Sequence, residues 1–494
     1  MMVLNQKSAR KLRADQSASR HLGRPRRSRA LCRPANLLLM QTSRPARPPD
    51  LLPPEPSEPP VVQTMRWIRS PIDFLESCRR RLGDTFSVRF IGFQTPMVML
   101  SDPEAVRALY TARDSGLPPG RTLGLRPVMG PRSILLLEGQ EHLARRKLML
   151  PPFHGERMRA YEDVIREVAA GEIATWPRER AFPMHPRMQA VTLEVIMRAV
   201  FGVTDRERLS QLRVGLRSLL DDTASSRLQL SVLVARRLRR AGPPAGLDGL
   251  TMDVDELLAA EIAEHRADPA STERDDILAQ LMAATFEDGG RMSDSELRDQ
   301  LVTLLLAGHE TTATALAWTF DLLLRHPAQL ARLRTEVERG AEDTYIRAVV
   351  AESLRLRPVV PIAGRRLGSE LLVNGYTLPA GTDVAPSIWL THTRADIYPE
   401  PLAFRPERFL EDAPATYSWI PFGGGSRRCL GASFAELEMR VVLREVLRSC
   451  EIRAADARPE RIARRNVTLA PRRGTRVVVS VQPPAAAPTA TATA

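Results

Sequence analysis

From Ser293 to His326 the sequence runs SDSELRDQLVTLLLAGHETTATALAWTFDLLLRH without a proline, and no other stretch restricts the fold as tightly. Ser293 and Glu296 stand at capping-box spacing, and His326-Pro327 closes the far end. A helix of about 32 residues is about 48 Å long at 1.5 Å per residue, the width of a whole domain. Leu301 to Ala307 is apolar except for Thr303, which implies burial on every side. Other helices must therefore surround this one. In its middle stands Ala307-Gly308-His309-Glu310-Thr311-Thr312, where small residues admit a ligand and an acid sits beside two alcohols. Burying Glu310 unpaired is costly, whereas a threonine there can simply return its hydroxyl to a carbonyl one turn back.

A second stretch, Pro421 to Gly431, reads PFGGGSRRCLG. Ala432 to Cys450 follows with apolar residues at helical spacing, so Cys429 stands where a loop enters a helix N-terminus, and that position favours a thiolate. The thiolate is the form that ligates a soft metal or heme iron. Gly423, Gly424, Gly425 and Gly431 clear side chains from around it, so a flat ligand can approach the backbone. Phe422 is placed to cover the sulfur and Arg427 to pair with a carboxylate on the ligand rim. A lone cysteine of this kind is more often a small buried hydrophobe, and these residues alone leave both readings open.

The complete pattern of Phe422, Gly425, Arg427, Cys429 and Gly431 resembles the heme-binding loop of the cytochrome P-450 superfamily, soluble bacterial type. Three further motifs occur in the order of that family. The segment Ala307 to Thr311 is similar to its oxygen-activating A-G-x-E-T. Glu352 and Arg355 form E-x-x-R, with Phe404-Arg405-Pro406-Glu407-Arg408-Phe409 about fifty residues on. His142 and Arg146 lie one helical turn apart, where the family contacts the heme propionates; other branches carry tryptophan in place of His142. The resemblance covers residues 51–481. It implies a mainly α, triangular helical heme domain with a small β-rich lobe, holding heme b through Cys429. His142, Arg146, Arg365, Phe422, Arg427 and Gly431 would line the cofactor, and Glu352, Arg355 and Arg408 would form a buried structural network. Glu310 and Thr311 would deliver protons as one oxygen atom of O2 enters a C–H bond. A peroxygenase, an isomerase or a heme sensor would share the ligation, but has less reason to bury an acid beside an alcohol.

The resemblance further implies electrons from a separate partner, a ferredoxin with its reductase or a flavodoxin, since no flavin or nicotinamide signature follows Cys429. Arg145, Lys147 and Arg428 are candidate docking residues for an acidic partner. The apolar residues near Ile134 to Leu137 and in the long helix suggest a fatty acid, terpenoid or polyketide as substrate, in secondary metabolism. A monomer is expected.

Charge separates the body from its start. The net charge is +13, and residues 1–50 hold twelve Lys or Arg against two Asp, so everything after them carries only +3. The basicity belongs to an N-terminal extension, expected to be disordered, and this weighs against nucleic-acid binding. Residues 482–494 read as a Pro/Ala/Thr tail. Four cysteines without regular spacing fit neither a disulfide framework nor a zinc site, and no apolar run is long enough to span a bilayer. A cytoplasmic enzyme without a transmembrane anchor follows as the expectation.

Local signals fill in the rest. Gly83 to Ser101 reads as a β-hairpin, and Asn374-Gly375 as a tight turn between short strands. Thr111 to Gly139 is a candidate substrate-access loop. Tyr161 to Ala284 reads as helices broken at Pro177, Pro183, Pro186 and 242–246, with lid helices between 205 and 265.

Overall fold

The computed structural model describes residues 52–481 apart from 92, 94, 113–115, 117–125, 156, 204, 206, 216–246, 271–273, 341, 412–413 and 466. The N-terminal extension and the C-terminal tail lie outside the described residues, as does most of the region expected to hold the lid helices. All that follows concerns the unit Arg47–Ala494.

Two helices, α1 (Pro60–Arg69) and α2 (Pro71–Leu82), precede the hairpin of β1 (Thr85–Val88) and β2 (Met97–Leu100). Next come α3 (Pro103–Thr111), α4 (Gly139–Met149), α5 (Arg157–Ala174), α6 (Met184–Val195) and α7 (Leu247–Ala267). The long helix α8 (Asp294–Arg325) and α9 (Thr344–Leu356) lead into β3 (Arg365–Arg366), β4 (Leu371–Val373), β5 (Tyr376–Leu378) and β6 (Asp383–Pro386). Helix α10 (Ala432–Ser449) follows the cysteine loop.

Helix α8 starts on a complete capping box of Ser293 and Glu296 and ends at His326. Its neighbours are tied to it by polar contacts that also satisfy buried groups. Thr192 of α6 donates to His309 O at 3.0 Å, Trp318 Nε1 donates to Leu469 O at 2.7 Å, and Thr475 donates to Ala317 O at 2.9 Å. One apolar core, including Leu301, Leu305 and Leu316 of α8 with Val441 and Val446 of α10, surrounds these contacts.

The β-rich lobe has strand order β1-β2-β6-β3, with β2 and β6 parallel and the other pairs antiparallel. All four residues of β2 are buried, because both faces of the sheet are covered. Met97 and Met99 point into a cluster with Phe74 and Phe86, while Val98 and Leu100 point into one with Leu109 and Leu378. Strands β4 and β5 pair across Asn374 and Gly375, both at positive φ, as the tight turn requires.

Two expectations are corrected here. Pro186 does not break a helix: it lies in the first turn of α6, where its missing N–H has no intrahelical partner to lose. Nor is the middle of α8 buried all round. Leu304, Ala307, Gly308 and Thr311 retain accessible surface although residues 312–323 are buried without a break. These four positions follow i, i+3, i+4, i+7 spacing and form one face, so the protein leaves one stripe of the helix uncovered.

Candidate functional site

The cysteine loop is held by its own backbone and by α3. Cys429 N–H donates to Phe422 O at 2.9 Å, Gly423 N–H to Ile420 O at 3.0 Å and Arg428 N–H to Gly425 O at 3.1 Å. Gly423 and Gly425 both take φ of +66°. A Cβ on Gly424 would lie 2.4 Å from the Tyr110 ring, and one on Gly425 2.5 Å from the Tyr110 carbonyl oxygen. Gly424 and Gly425 are thus demanded by the end of α3, whatever a ligand on the other side would also require.

Cys429 is accessible to solvent, yet protein surrounds it closely enough that burial pushes its thiol pKa up. An atom that is both reachable and enclosed lies on the floor of a recess. The Gly431 amide, Arg428 and Arg146 pull in the opposite direction and favour the thiolate. Phe422 is partly buried against the core and meets Trp419 edge-on, with ring centroids 6.2 Å apart.

A cluster of cations borders this recess. His142 on α4 is buried, and burial followed by Arg427, Arg146 and Arg365 pushes its pKa down to about 4. Burial and then Arg365 likewise bring Arg427 down to about 10, with Glu138 opposing. Arg365, in β3, donates to Gly364 O and Gly424 O, and its guanidinium lies 5.5 Å from the Tyr110 ring centroid. Arg427 donates to Leu137 O at 2.6 Å. His142 is thereby held neutral, and among the described residues neither it nor Arg146, Arg365 or Arg427 forms an ion pair with a carboxylate. The mutual repulsion of the three guanidiniums would be relieved by an anionic ligand with two carboxylates.

The open stripe of α8 supplies an apolar wall that ends in Thr311. Its hydroxyl donates to Ala307 O at 2.6 Å, so its lone pairs stay available to accept a hydrogen bond from the open side. Thr312 faces the other way, against Glu438 of α10, whose carboxyl is pushed up to about 8 by burial with Thr312 opposing. Glu310 does not turn toward Thr311. Its Oε2 accepts from Gln189 Nε2 at 2.6 Å, its Oε1 lies 3.4 Å from the Thr314 hydroxyl, and neutral His185 is 3.6 Å away. On Gly308 a Cβ would come within 3.3 Å of Ile196, so the open face has little room for a larger residue there.

The residues of the expected structural network are brought together. Arg355 Nε and Nη2 donate to Glu352 at 2.6 and 2.8 Å, and Arg408 Nε donates to Glu352 Oε1 at 3.0 Å. Arg355 also donates to the carbonyls of His392 and Pro401 at 2.8 Å. His392, Tyr110, Gln189 and Glu438 escaped the sequence reading, since each matters through partners far away in the chain. Arg145 departs from its expected place: it is 3% exposed, paired with Glu296 and stacked over Phe286, so it offers nothing to a docking partner. Lys147 pairs with Glu287 at 2.7 Å on the surface, and Arg428 is exposed.

These residues fit a flat ligand with two carboxylates on its rim and a thiophilic metal at its centre. The cytochrome P450 family model matches residues 53–478. Putative cytochrome P450 135B1 of Mycobacterium tuberculosis is 42% identical over 440 residues, which is 87% of this chain and 91% of the relative. Putative cytochrome P450 137 of the same species is 43% identical over 403 residues, 81% of this chain and 83% of the relative. Retinoic acid-bound cyanobacterial CYP120A1 superposes with a TM-score of 0.74 at 26% identity, covering 87% of this chain and 99% of that structure. The cytochrome P450DA heme domain, at 23% identity and TM-score 0.75 over 88% of this chain and 98% of that one, shares the fold.

Proposed function

Because the chain belongs to the cytochrome P450 family and is therefore a heme b monooxygenase, we propose that Cys429 is its proximal ligand and that it hydroxylates an apolar small molecule. One observation carries this reading: a reachable, enclosed sulfur beside the guanidiniums of Arg146, Arg365 and Arg427, which no carboxylate pairs among the described residues. His142, Arg146, Arg365 and Arg427 would hold the propionates, and Phe422 and Gly431 would flank the sulfur. Heme ligated by a thiolate supplies an electron-rich iron at which O2 is cleaved, one atom going to substrate and one to water.

The chain's own residues do the rest. Leu304 and Ala307 present apolar surface, which keeps bulk water from competing with the substrate. Thr311 holds a water by accepting its hydrogen bond through the lone pairs that the back-bond leaves free. For Glu310 to relay protons, its carboxylate has to leave Gln189 and swing toward Thr311, so Gln189 sets how readily it moves. Glu352, Arg355 and Arg408 keep the segment from Pro399 to Arg408 fixed.

A fatty acid, terpenoid or polyketide suits such a cavity, and the retinoic acid held by the cyanobacterial neighbour is an apolar chain of this kind. A place in secondary metabolism, a monomeric state, and electrons from a ferredoxin system or flavodoxin docking near Arg428 belong to the same reading. The test is turnover with such a donor, an apolar substrate chosen by its spectral shift, and isotopically labelled O2. A single labelled oxygen in the product is expected. Product whose oxygen comes from water would contradict the proposal.

A further inference from the structure

Helix α1 turns only part of its apolar surface inward. Trp67 packs on the cluster of Phe74 and Phe90, and one turn before it the buried residue is Gln63, which donates to Glu58 O at 2.8 Å and accepts from Arg89 N–H at 2.8 Å. On the opposite side Val61, Met65 and Ile68 follow i, i+4, i+7 spacing and are 57%, 49% and 49% exposed. Val62 and, beyond Thr64, Ile91 widen the patch, Ile91 being placed by its N–H, which donates to the Thr64 hydroxyl at 2.9 Å. A groove of about 440 Å³ runs between this face and the start of α2, lined by Val61, Val62, Met65, Arg69 and Phe74.

We propose that this face docks on an anionic membrane surface, with the apolar stripe of α1 entering the headgroup boundary and the groove accepting part of an acyl chain. Exposed apolar residues clustered along one side of a helix mark an interaction site. Charge selects the partner. Arg69 borders the stripe, Arg66 beside it being paired with Glu58 at 2.9 Å, and the fifty residues that precede this region in the sequence carry twelve Lys or Arg against two Asp. A second copy of the chain would bring like charge against like, whereas an anionic bilayer supplies both the apolar phase and the counter-charge. An interfacial helix that follows a basic stretch in the sequence combines two weak anchors, which together give stable but reversible attachment. Among the described residues no helix is long and apolar enough to cross a membrane, so this is attachment to one leaflet. The proposal does not depend on the chemistry at Cys429.

The experiment is flotation of the full-length holoenzyme with vesicles of phosphatidylcholine alone and of phosphatidylcholine mixed equally with phosphatidylglycerol. Binding to the mixed vesicles, weakened by added salt, is expected. The variant combining Val61→Ser, Met65→Ser and Ile68→Ser should lose at least about tenfold in vesicle partitioning while keeping its heme spectrum and melting temperature, because all three side chains are exposed. Absence of binding by the parent would overturn the proposal, as would equal binding by the variant, which would leave charge as the sole cause. A lowered melting temperature in the variant would show instead that another segment of the chain covers the face. Loss of self-association on sizing would assign the face to a second copy.

Discussion

His392 Nε2 accepts a hydrogen bond from the Ile420 backbone N–H at 2.8 Å, while its Nδ1 lies 3.1 Å from Arg355 O. One buried ring thus spans from the Glu352–Arg355–Arg408 network to the residue before the cysteine loop begins. The two bonds require the proton on Nδ1. Burial, with Arg355 adding to it, pushes the pKa of the ring down to about 3, so it stays neutral.

His392→Ala should therefore strip two buried backbone groups of their partner and loosen the loop that carries Cys429. A loss of about 2–5 kcal/mol is expected, with low heme content in protein that still folds. Unfolding curves and the ratio of heme to protein absorbance measure both effects. Full heme loading at unchanged stability would show that the ring braces nothing.

Stability should peak between mildly acid and mildly alkaline pH. Burial pushes His185 down to about 3, as it does His392. Below their unfolded value of about 6.5 the unfolded chain takes up protons that the folded chain refuses. Their contribution is complete above that pH and declines as pH falls toward 3, by about 1.4 kcal/mol per pH unit for each ring. His265 acts oppositely: burial works against its charge, but hydrogen bonds to Asp276 and Glu261 outweigh this and push it up to about 9. Its contribution is complete below about 6.5 and is lost as pH rises through 9. Urea midpoints measured across pH should fall on both sides, and His265→Gln should flatten the alkaline limb alone. An unchanged alkaline limb in that variant would exclude the Asp276–His265–Glu261 cluster as its source.

Thr311→Ala removes a hydroxyl whose contact in the protein is its own helix carbonyl, so heme binding, substrate affinity and stability should hold. Proton delivery should suffer, and positioned proton transfer is typically worth about 10² to 10⁴ in rate. Reductant and O2 would still be consumed, with hydrogen peroxide replacing much of the hydroxylated product. Equal coupling in variant and parent would take Thr311 out of the mechanism. Thr312 is a poor substitute, since it faces Glu438.

How much of this was legible depended on whether a residue's partners lie near it in the chain. The ends of α8 could be read because Ser293 and Glu296 cap each other across three residues, and the β4–β5 turn because Asn374-Gly375 suits positive φ at both positions. The resemblance to the family's motifs implied a network of Glu352, Arg355 and Arg408, and the structure joins them by hydrogen bonds. His392, by contrast, meets Arg355 and Ile420 at separations of 37 and 28 residues, with no local pattern to announce either contact. Arg145 read as surface charge because Glu296, 151 residues on, could not be foreseen as its partner. The open stripe on α8 was hidden for a related reason: Leu304, Ala307 and Gly308 are as apolar as buried residues, and only the packing shows that one side is left uncovered. Helix α1 misleads in the opposite sense, since its apolar side would be assigned to the core.

The central claim is that Cys429 ligates the heme iron as a thiolate, and the spectrum of the reduced carbon monoxide complex tests it most directly. The parent protein should show the red-shifted Soret band that thiolate ligation produces, and Cys429→Ala should lose it. Arg428 and Arg146 remain in that variant, so any change traces to the sulfur. An unaltered red-shifted band in Cys429→Ala, or an unshifted band in the intact parent, would contradict the account.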